Sequence, residues 1–367
     1  MREILGEIAP LYAAGERFAV ATVVRTWSSA PRPIGASMAV TSDGRAIGSV
    51  SGGCVEGAVY EVCQEVLATG TPQLVTYGVS DDDAFSVGLT CGGTIQLYVH
   101  AVDRVSDPRV GWALSAEASG DAVAIATVVS TGRRLAISEI DVDGSLGSDR
   151  LDAAVTDGVR GMLEHGTTGF LRLGADGERR HDELAIFVES WARPPRMLIF
   201  GAIDFAAALA QAGRFIGYHV TVCDARPVFA TRQRFPEVDE LVVEWPHSFL
   251  ERTTVDERTV ICVLTHDPKF DVPLLELALR TPAAYVGAMG SRRTHDDRMT
   301  RLRAAGMTEN ELARLHSPIG LDIGARTPQE TAISITAEIV STVWGGTGRR
   351  LTELDAPIHR APLASEA

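Results

Sequence analysis

Cysteine, long apolar runs and clustered positive charge are all scarce in this chain of 367 residues. Its five cysteines, at 54, 63, 91, 223 and 262, are odd in number and nowhere spaced C-x-x-C. That pattern argues against structural zinc and a disulfide framework, and it suits a reducing compartment. No apolar run approaches the ~20 residues that span a bilayer. The start, MREILGEIAPLYAAGERF, places acids within an apolar stripe of Ile4, Leu5, Ile8, Leu11 and Tyr12. It reads as a surface helix, not a signal peptide. Lys and Arg total 34 against 48 Asp and Glu, a net charge of −14 with no basic run. Nucleic acid and anionic membranes are therefore not expected as partners. The expectation is a soluble cytoplasmic protein of two or three domains with reduced thiols.

The most informative stretch is Ser49-Val50-Ser51-Gly52-Gly53-Cys54-Val55-Glu56-Gly57. It runs into Val59, Val62, Cys63, Val66 and Leu67, apolar at helix spacing. The reading is strand, glycine turn, helix start, with Cys54 beside the helix N-terminus. Unpaired N–H groups and the helix dipole there would favour an anion and lower a thiol pKa. Cys91 stands in a similar frame, Gly88-Leu89-Thr90-Cys91-Gly92-Gly93. Together the two loops suggest a ligand that the backbone approaches closely; the alternative is two small buried residues in tight turns. Between strands at 18–24 and 37–40, Pro31-Arg32-Pro33-Ile34-Gly35 forms a constrained loop. It can aim the Arg32 guanidinium at an oxyanion or leave it as a solvated turn residue. A G-x-S-x-G hydrolase elbow fails at Gly48–Gly52, because its centre is Val50.

The segment after residue 105 repeats this plan. Ala21-Thr22-Val23-Val24 recurs as Ala126-Thr127-Val128-Val129, Asp43-Gly44 as Asp143-Gly144, and Gly48-Ser49 as Gly147-Ser148. Leu67 to Thr71 recurs as Leu163 to Thr167. An internal duplication explains this. The second copy lacks the proline loop and has Asp149-Arg150-Leu151 in place of Gly52-Gly53-Cys54. Copy one is thus expected to carry the chemistry and copy two to serve packing or assembly. A homodimer is the expected assembly.

Beyond Trp191-Ala192-Arg193-Pro194-Pro195 the pattern alternates strand and helix, as in a Rossmann-type doubly wound sheet. The expected order is an α+β domain over 1–105, its degenerate copy over 106–192, a Rossmann-like α/β domain over 193–344 and a loose tail over 345–367. Capping boxes mark helices after Thr308 and Thr327. The dinucleotide turn reads Gly201-Ala202-Ile203-Asp204-Phe205-Ala206. Ile203 would crowd a pyrophosphate, and Asp204 puts a negative charge where phosphates would sit, so NAD(P) is doubtful. Asp224 is placed for a ribose hydroxyl, with Arg226 after it. Thr265-His266-Asp267 and Gly287-Ala288-Met289-Gly290-Ser291-Arg292-Arg293 follow later strands, the second readable as an anion cradle; the alternatives are that His266 only caps a helix and that the arginine pair only faces water.

These stretches resemble the xanthine dehydrogenase accessory factor family (XdhC/CoxI), through PRPIGA (31–36), GSVSGGCVEG (48–57) and GLTCGG (88–93). VCDARP (222–227), LTHD (264–267), VGAMGSRR (286–293) and SPIGLDIGARTPQETAISI (317–335) extend the match. The resemblance implies a chaperone that holds the molybdenum cofactor as cargo while its terminal sulfur is installed. It implies no turnover of its own, a cysteine desulfurase as sulfur donor, and delivery to a xanthine dehydrogenase-type molybdenum hydroxylase. It places Cys54 and Cys91 at the family's cysteine positions; with Arg32, Gly52, Gly53, Gly92 and Gly93 of the loops read above, they make up the expected cofactor site. Ile203-Asp204 departs from the family's glycine and histidine. The competing readings are an NAD(P)-dependent oxidoreductase, opposed by that turn, and a component of the dehydrogenase itself, opposed by the absence of iron–sulfur cysteine spacing.

Overall fold

Apolar runs beginning at Phe18 and Val123 become the central strands of two antiparallel sheets, the first buried from Phe18 to Val24 and the second throughout. The structure is a computed structural model describing residues 1–28, 30–78, 92–179 and 181–355. It divides into two units, Met1–Arg193 and Pro194–Asp355. In the first, helix α1 (Leu5–Ala14) leads into β1 (Phe18–Trp27), β2 (Ser37–Thr41), β3 (Ala46–Gly48), α2 (Glu56–Thr69), β4 (Gln73–Tyr77) and β5 (Thr94–Val102). These strands lie in the order β3-β2-β1-β5-β4. Helix α3 (Pro108–Ala118) is followed by β6 (Val123–Val128), β7 (Arg134–Ser138), β8 (Val142–Gly144), α4 (Asp149–His165), β9 (Gly169–Leu173) and β10 (Leu184–Trp191). Their order, β8-β7-β6-β10-β9, is that of the first sheet strand for strand.

The duplication is therefore visible in the topology, but its register differs from the sequence expectation. Gly48 pairs with Met38 and Gly144 with Leu135, so Gly144 corresponds to Gly48, not to the turn residue Gly44. A Cβ on Gly48 would lie 2.5 Å from the Ser37 carbonyl oxygen, and one on Gly144 2.6 Å from that of Arg134. Ser37 and Arg134 are themselves equivalent, facing Thr22 and Thr127. The shared glycine thus answers to a shared backbone contact, while the second hairpin turns at 139–141, away from Asp143-Gly144. In this frame Gly52-Gly53-Cys54 corresponds to Ser148-Asp149-Arg150, one residue earlier than the sequence suggests. The same frame equates Tyr98 with Phe187 and His100 with Glu189.

The second unit contains β11 (Arg196–Phe200), α5 (Asp204–Phe215), β12 (His219–Cys223), β13 (Glu240–Val242), α6 (Pro246–Arg252) and β14 (Val260–Val263). It continues with α7 (Pro268–Ala278), β15 (Tyr285–Ala288), α8 (Arg292–Ala304), α9 (Glu309–Leu312), β16 (Leu315–His316) and α10 (Pro328–Val343). The six strands are all parallel, in the order β13-β12-β11-β14-β15-β16 of a doubly wound nucleotide-type sheet. Alternate residues of β11 feed separate cores, Met197 and Ile199 on one face and Leu198 and Phe200 on the other. Both expected capping boxes are present, at Thr308 with Glu311 and at Thr327 with Glu330. Among the described residues no helix is long and apolar enough to cross a membrane.

Candidate functional site

Strand register gathers the sequence-predicted loops of copy one at one end of its sheet. Trp27 at the end of β1 faces Thr94, Gly48 at the end of β3 faces Met38, and Tyr77 at the end of β4 faces Ile95. The described residues 30–36 and 49–55, with Gly78 and Gly92 at the described ends that follow β4 and precede β5, therefore lie at the same edge. Arg32, Gly52, Gly53, Cys54, Gly92 and Gly93 all belong to it. Cys91 lies outside the described residues.

The loop before α2 is held from within. Glu56, the first helical residue, turns its carboxylate back under the glycines. Its Oε1 accepts from Ser49 Oγ at 2.6 Å, Ser51 N at 2.8 Å and Val50 N at 3.2 Å. Its Oε2 accepts from Gly53 N at 2.8 Å, and also from Ser51 Oγ and Val55 N. Gly52 N donates to Ser49 Oγ at 2.9 Å, while Cys54 N and Val55 N reach Ser51 Oγ at 3.0 Å. Burial of Glu56 opposes its ionisation, but the Ser49 and Ser51 hydroxyls and the backbone N–H donors outweigh it, holding the carboxyl down at about 2.

This corrects one expectation. The loop N–H groups expected to be open to an outside anion are taken by the chain's own Glu56 carboxylate and by the Ser49 and Ser51 hydroxyls. The signal in the sequence is an acid at the first helical position after two serines and a glycine pair, a pattern that points to Glu56 only once the helix start is known. What the loop offers outward is backbone surface and a half-buried Cys54. Gly52 and Gly53 have φ of +76° and +115°, are exposed, and have nothing within 4 Å of where a Cβ would stand. Their conformation needs glycine, whereas no packing contact does. Gly92 is likewise exposed and left-handed, and Gly93 is buried beneath the start of β5. Arg32 is tied to Glu3.

Three other cysteines are core residues. Burial pushes the Cys63 and Cys223 thiols up to about 12 and raises that of Cys262 further. Cys54 differs from them in reaching the surface.

In the second unit the loops after β11, β12, β14 and β15 meet at the carboxyl edge of the sheet, as expected, but their polar groups are largely spent on one another. Asp224 is buried and takes Ala202 N–H at 2.7 Å together with the Arg226 N–H and guanidinium at 2.8 to 2.9 Å. Burial opposes its ionisation, yet Arg226 and these N–H bonds hold it below the usual carboxylate range. Asp204 pairs with Arg234 at 2.9 Å. A Cβ on Gly201 would stand 2.8 Å from Thr265 Cγ2 and 3.1 Å from its N, so that glycine lets two loops touch. Asp267 caps α7 through Lys269 N at 3.1 Å, while His266 is exposed. Gly287 is not part of a cradle: it lies within β15, where a Cβ would strike Ile319 and Tyr285 at 2.6 and 2.7 Å. Near Gly290, Ser291 caps α8 through Thr294 N at 3.1 Å, leaving Arg292 and Arg293 exposed in the first turn. Beneath that loop Arg298 pairs with buried Asp271 at 3.0 Å and donates to the Met289 carbonyl at 2.9 Å.

Comparison with known proteins follows the same division. Residues 11–78 match the XdhC and CoxI family, and residues 197–339 match the XdhC Rossmann domain. A probable xanthine dehydrogenase subunit of Bacillus subtilis is 30% identical over 332 residues, covering 89% of this chain and 93% of its own length. The molybdenum cofactor insertion chaperone PaoD of Escherichia coli is 26% identical over 340 residues, 93% of this chain and 88% of that protein. The crystal structure of a xanthine dehydrogenase from Bacillus halodurans shares the fold, with a TM-score of 0.70 at 24% identity over 96% of this chain and 98% of the other. The chain is a member of the XdhC and CoxI family.

Proposed function

We propose that this protein is a maturation factor that holds the molybdenum cofactor on the glycine loop of copy one. It passes the cofactor, once its terminal sulfur is installed, to a xanthine dehydrogenase-type molybdenum hydroxylase. One observation carries the reading: copy one unwinds the helical turn that copy two keeps. In copy two Ser148 caps a helix starting at Asp149; in copy one the equivalent residues are two exposed left-handed glycines and Cys54. Such a loop costs backbone entropy and gains no packing contact at the glycines, as expected where a ligand supplies the missing contact. Because Glu56 fills the amide nest, the cargo is engaged by the thiol and the glycine surface rather than by helix N–H groups. A cysteine desulfurase as sulfur donor, a homodimer and a cytoplasmic setting belong to the same proposal. The test is molybdenum content after purification from a molybdenum-replete host, for wild type, Cys54→Ala and Cys91→Ala. At least one variant should lose most of the metal; wild-type content in both would reject the thiols as ligands.

The Rossmann-like unit is proposed to be a poor NAD(P) site. Ile203 flanks the turn, Asp224 is saturated by Arg226, and the loops of Gly201 and Thr265 are in contact. Calorimetric titration with NAD⁺ and NADH should detect no micromolar binding, and a micromolar constant would restore the oxidoreductase reading.

A further inference from the structure

We propose that one ordered water molecule is built into the core between the two sheets of the N-terminal unit, hydrogen-bonded to His100. This rests on observations separate from the cofactor site. His100 lies in β5, is 5% exposed, and stacks on Tyr98 with ring centroids 5.4 Å apart. Among the described residues neither of its ring nitrogens has a hydrogen-bond partner. A neutral imidazole carries one donor and one acceptor, and buried polar groups of this kind are nearly always satisfied by protein or by ordered water.

Space and chemistry for that water are present beside the ring. His100 lines a cavity together with Thr22, Thr127, Arg134 and Glu189, and the room open to a water there is about 10 Å³, close to that of a single molecule. An ion is disfavoured, because the charges around the cavity are already compensated. Arg134 pairs with Asp107, and Glu189 accepts from the α-amino group of Met1. Burial, with the positive charges of Arg134 and that amino group, holds the imidazole well below its usual range and therefore neutral. Ser37 Oγ donates to the Gly35 carbonyl and so accepts from the Thr22 hydroxyl at 3.0 Å, which leaves the Thr22 oxygen able to accept; with the Thr127 hydroxyl and the Glu189 carboxylate it offers partners for a water on the ring.

The position within the duplication explains why the site is polar. Thr22 and Thr127 are equivalent, as are His100 and Glu189, so matching faces of the two copies meet here with different side chains. A water reconciles an imidazole on one side with a carboxylate on the other.

The test is a high-resolution crystal structure of the full chain, together with oxygen-17 relaxation dispersion in solution. The expected result is a density peak within hydrogen-bonding distance of one His100 nitrogen and of a second lining polar atom. Solution data should show one fewer long-lived water in His100→Phe than in wild type. If His100→Phe does not fold, Thr127→Val, which keeps the shape and removes one hydroxyl, should shorten the residence time of that water. A dry cavity in the wild-type crystal, or an unchanged count of long-lived waters in a folded His100→Phe chain, overturns the proposal.

Discussion

The two copies of the α+β unit share strand order and the glycine at the end of the third strand, yet diverge where the helix begins. Even the carboxylate that reaches back is kept: Asp152 accepts from Leu146 N at 2.7 Å, as Glu56 accepts from Val50 N. Copy two uses its acid beside an ordinary serine cap, with Ser148 accepting from Leu151 N at 3.3 Å. Copy one starts its helix three positions later in the common frame and asks Glu56 to bind the whole loop. The lesson is that the acid belongs to the shared scaffold, while the glycine pair and Cys54 are peculiar to one copy. The proline loop is a second difference, since β6 and β7 are joined by the short run 129–133.

The largest effect should come from the shared glycine. Gly48→Ala and Gly144→Ala each force a Cβ onto a carbonyl oxygen at positive φ, and each should cost about 3 kcal/mol or more in denaturant unfolding. A large loss at one site and none at the other would break the equivalence of the copies. Next in size is Glu56→Gln, expected to cost about 1–3 kcal/mol because several donors lose a charged acceptor, against about 1 kcal/mol for Asp152→Asn. The sign of the pH dependence follows. The Glu56 carboxyl titrates lower in the folded state than in the unfolded chain, so its contribution is complete above about 4.5 and fades as pH falls toward 2. Wild type should lose stability across that window more steeply than Glu56→Gln, and parallel curves would show that Glu56 is not the loop's internal anion.

Much of the fold was legible because period and punctuation agreed with it. The run Thr259 to Leu264 was the clearest strand signal and contains the buried strand Val260–Val263, and Thr327-Pro328 with Glu330 announced a helix start. The register of the duplication was not legible. Asp143-Gly144 looks like the turn Asp43-Gly44, but its glycine answers to a carbonyl across the sheet, which no local pattern reveals. In the proposed site, the left-handed turn at Gly52 and Gly53 and the placement of Cys54 beside the helix start were legible from the glycine pair and the apolar spacing that follows. The inward turn of Glu56 was not, because an acid at a helix start looks the same whether it meets water or the chain's own amides. The ion pair at Asp224 was hidden for a related reason: its position at the end of β12 suits a ribose, and the sequence does not say that Arg226 two residues on turns back onto it. The pairing of Arg32 with Glu3 joins residues far apart in sequence and left no local trace.

The central claim, that the unwound turn of copy one exists to hold cargo, is tested most directly by exchanging the two helix starts. Gly52→Ser, Gly53→Asp and Cys54→Arg together would give copy one the start of copy two. Cofactor binding would be measured by molybdenum content and by titration, beside thermal unfolding. The account predicts an unchanged or raised melting temperature with at least tenfold weaker binding, about 1.4 kcal/mol. The reverse exchange, Ser148→Gly with Asp149→Gly and Arg150→Cys, should leave binding as in wild type. A folded first chimera that binds the cofactor as tightly as wild type would contradict the claim.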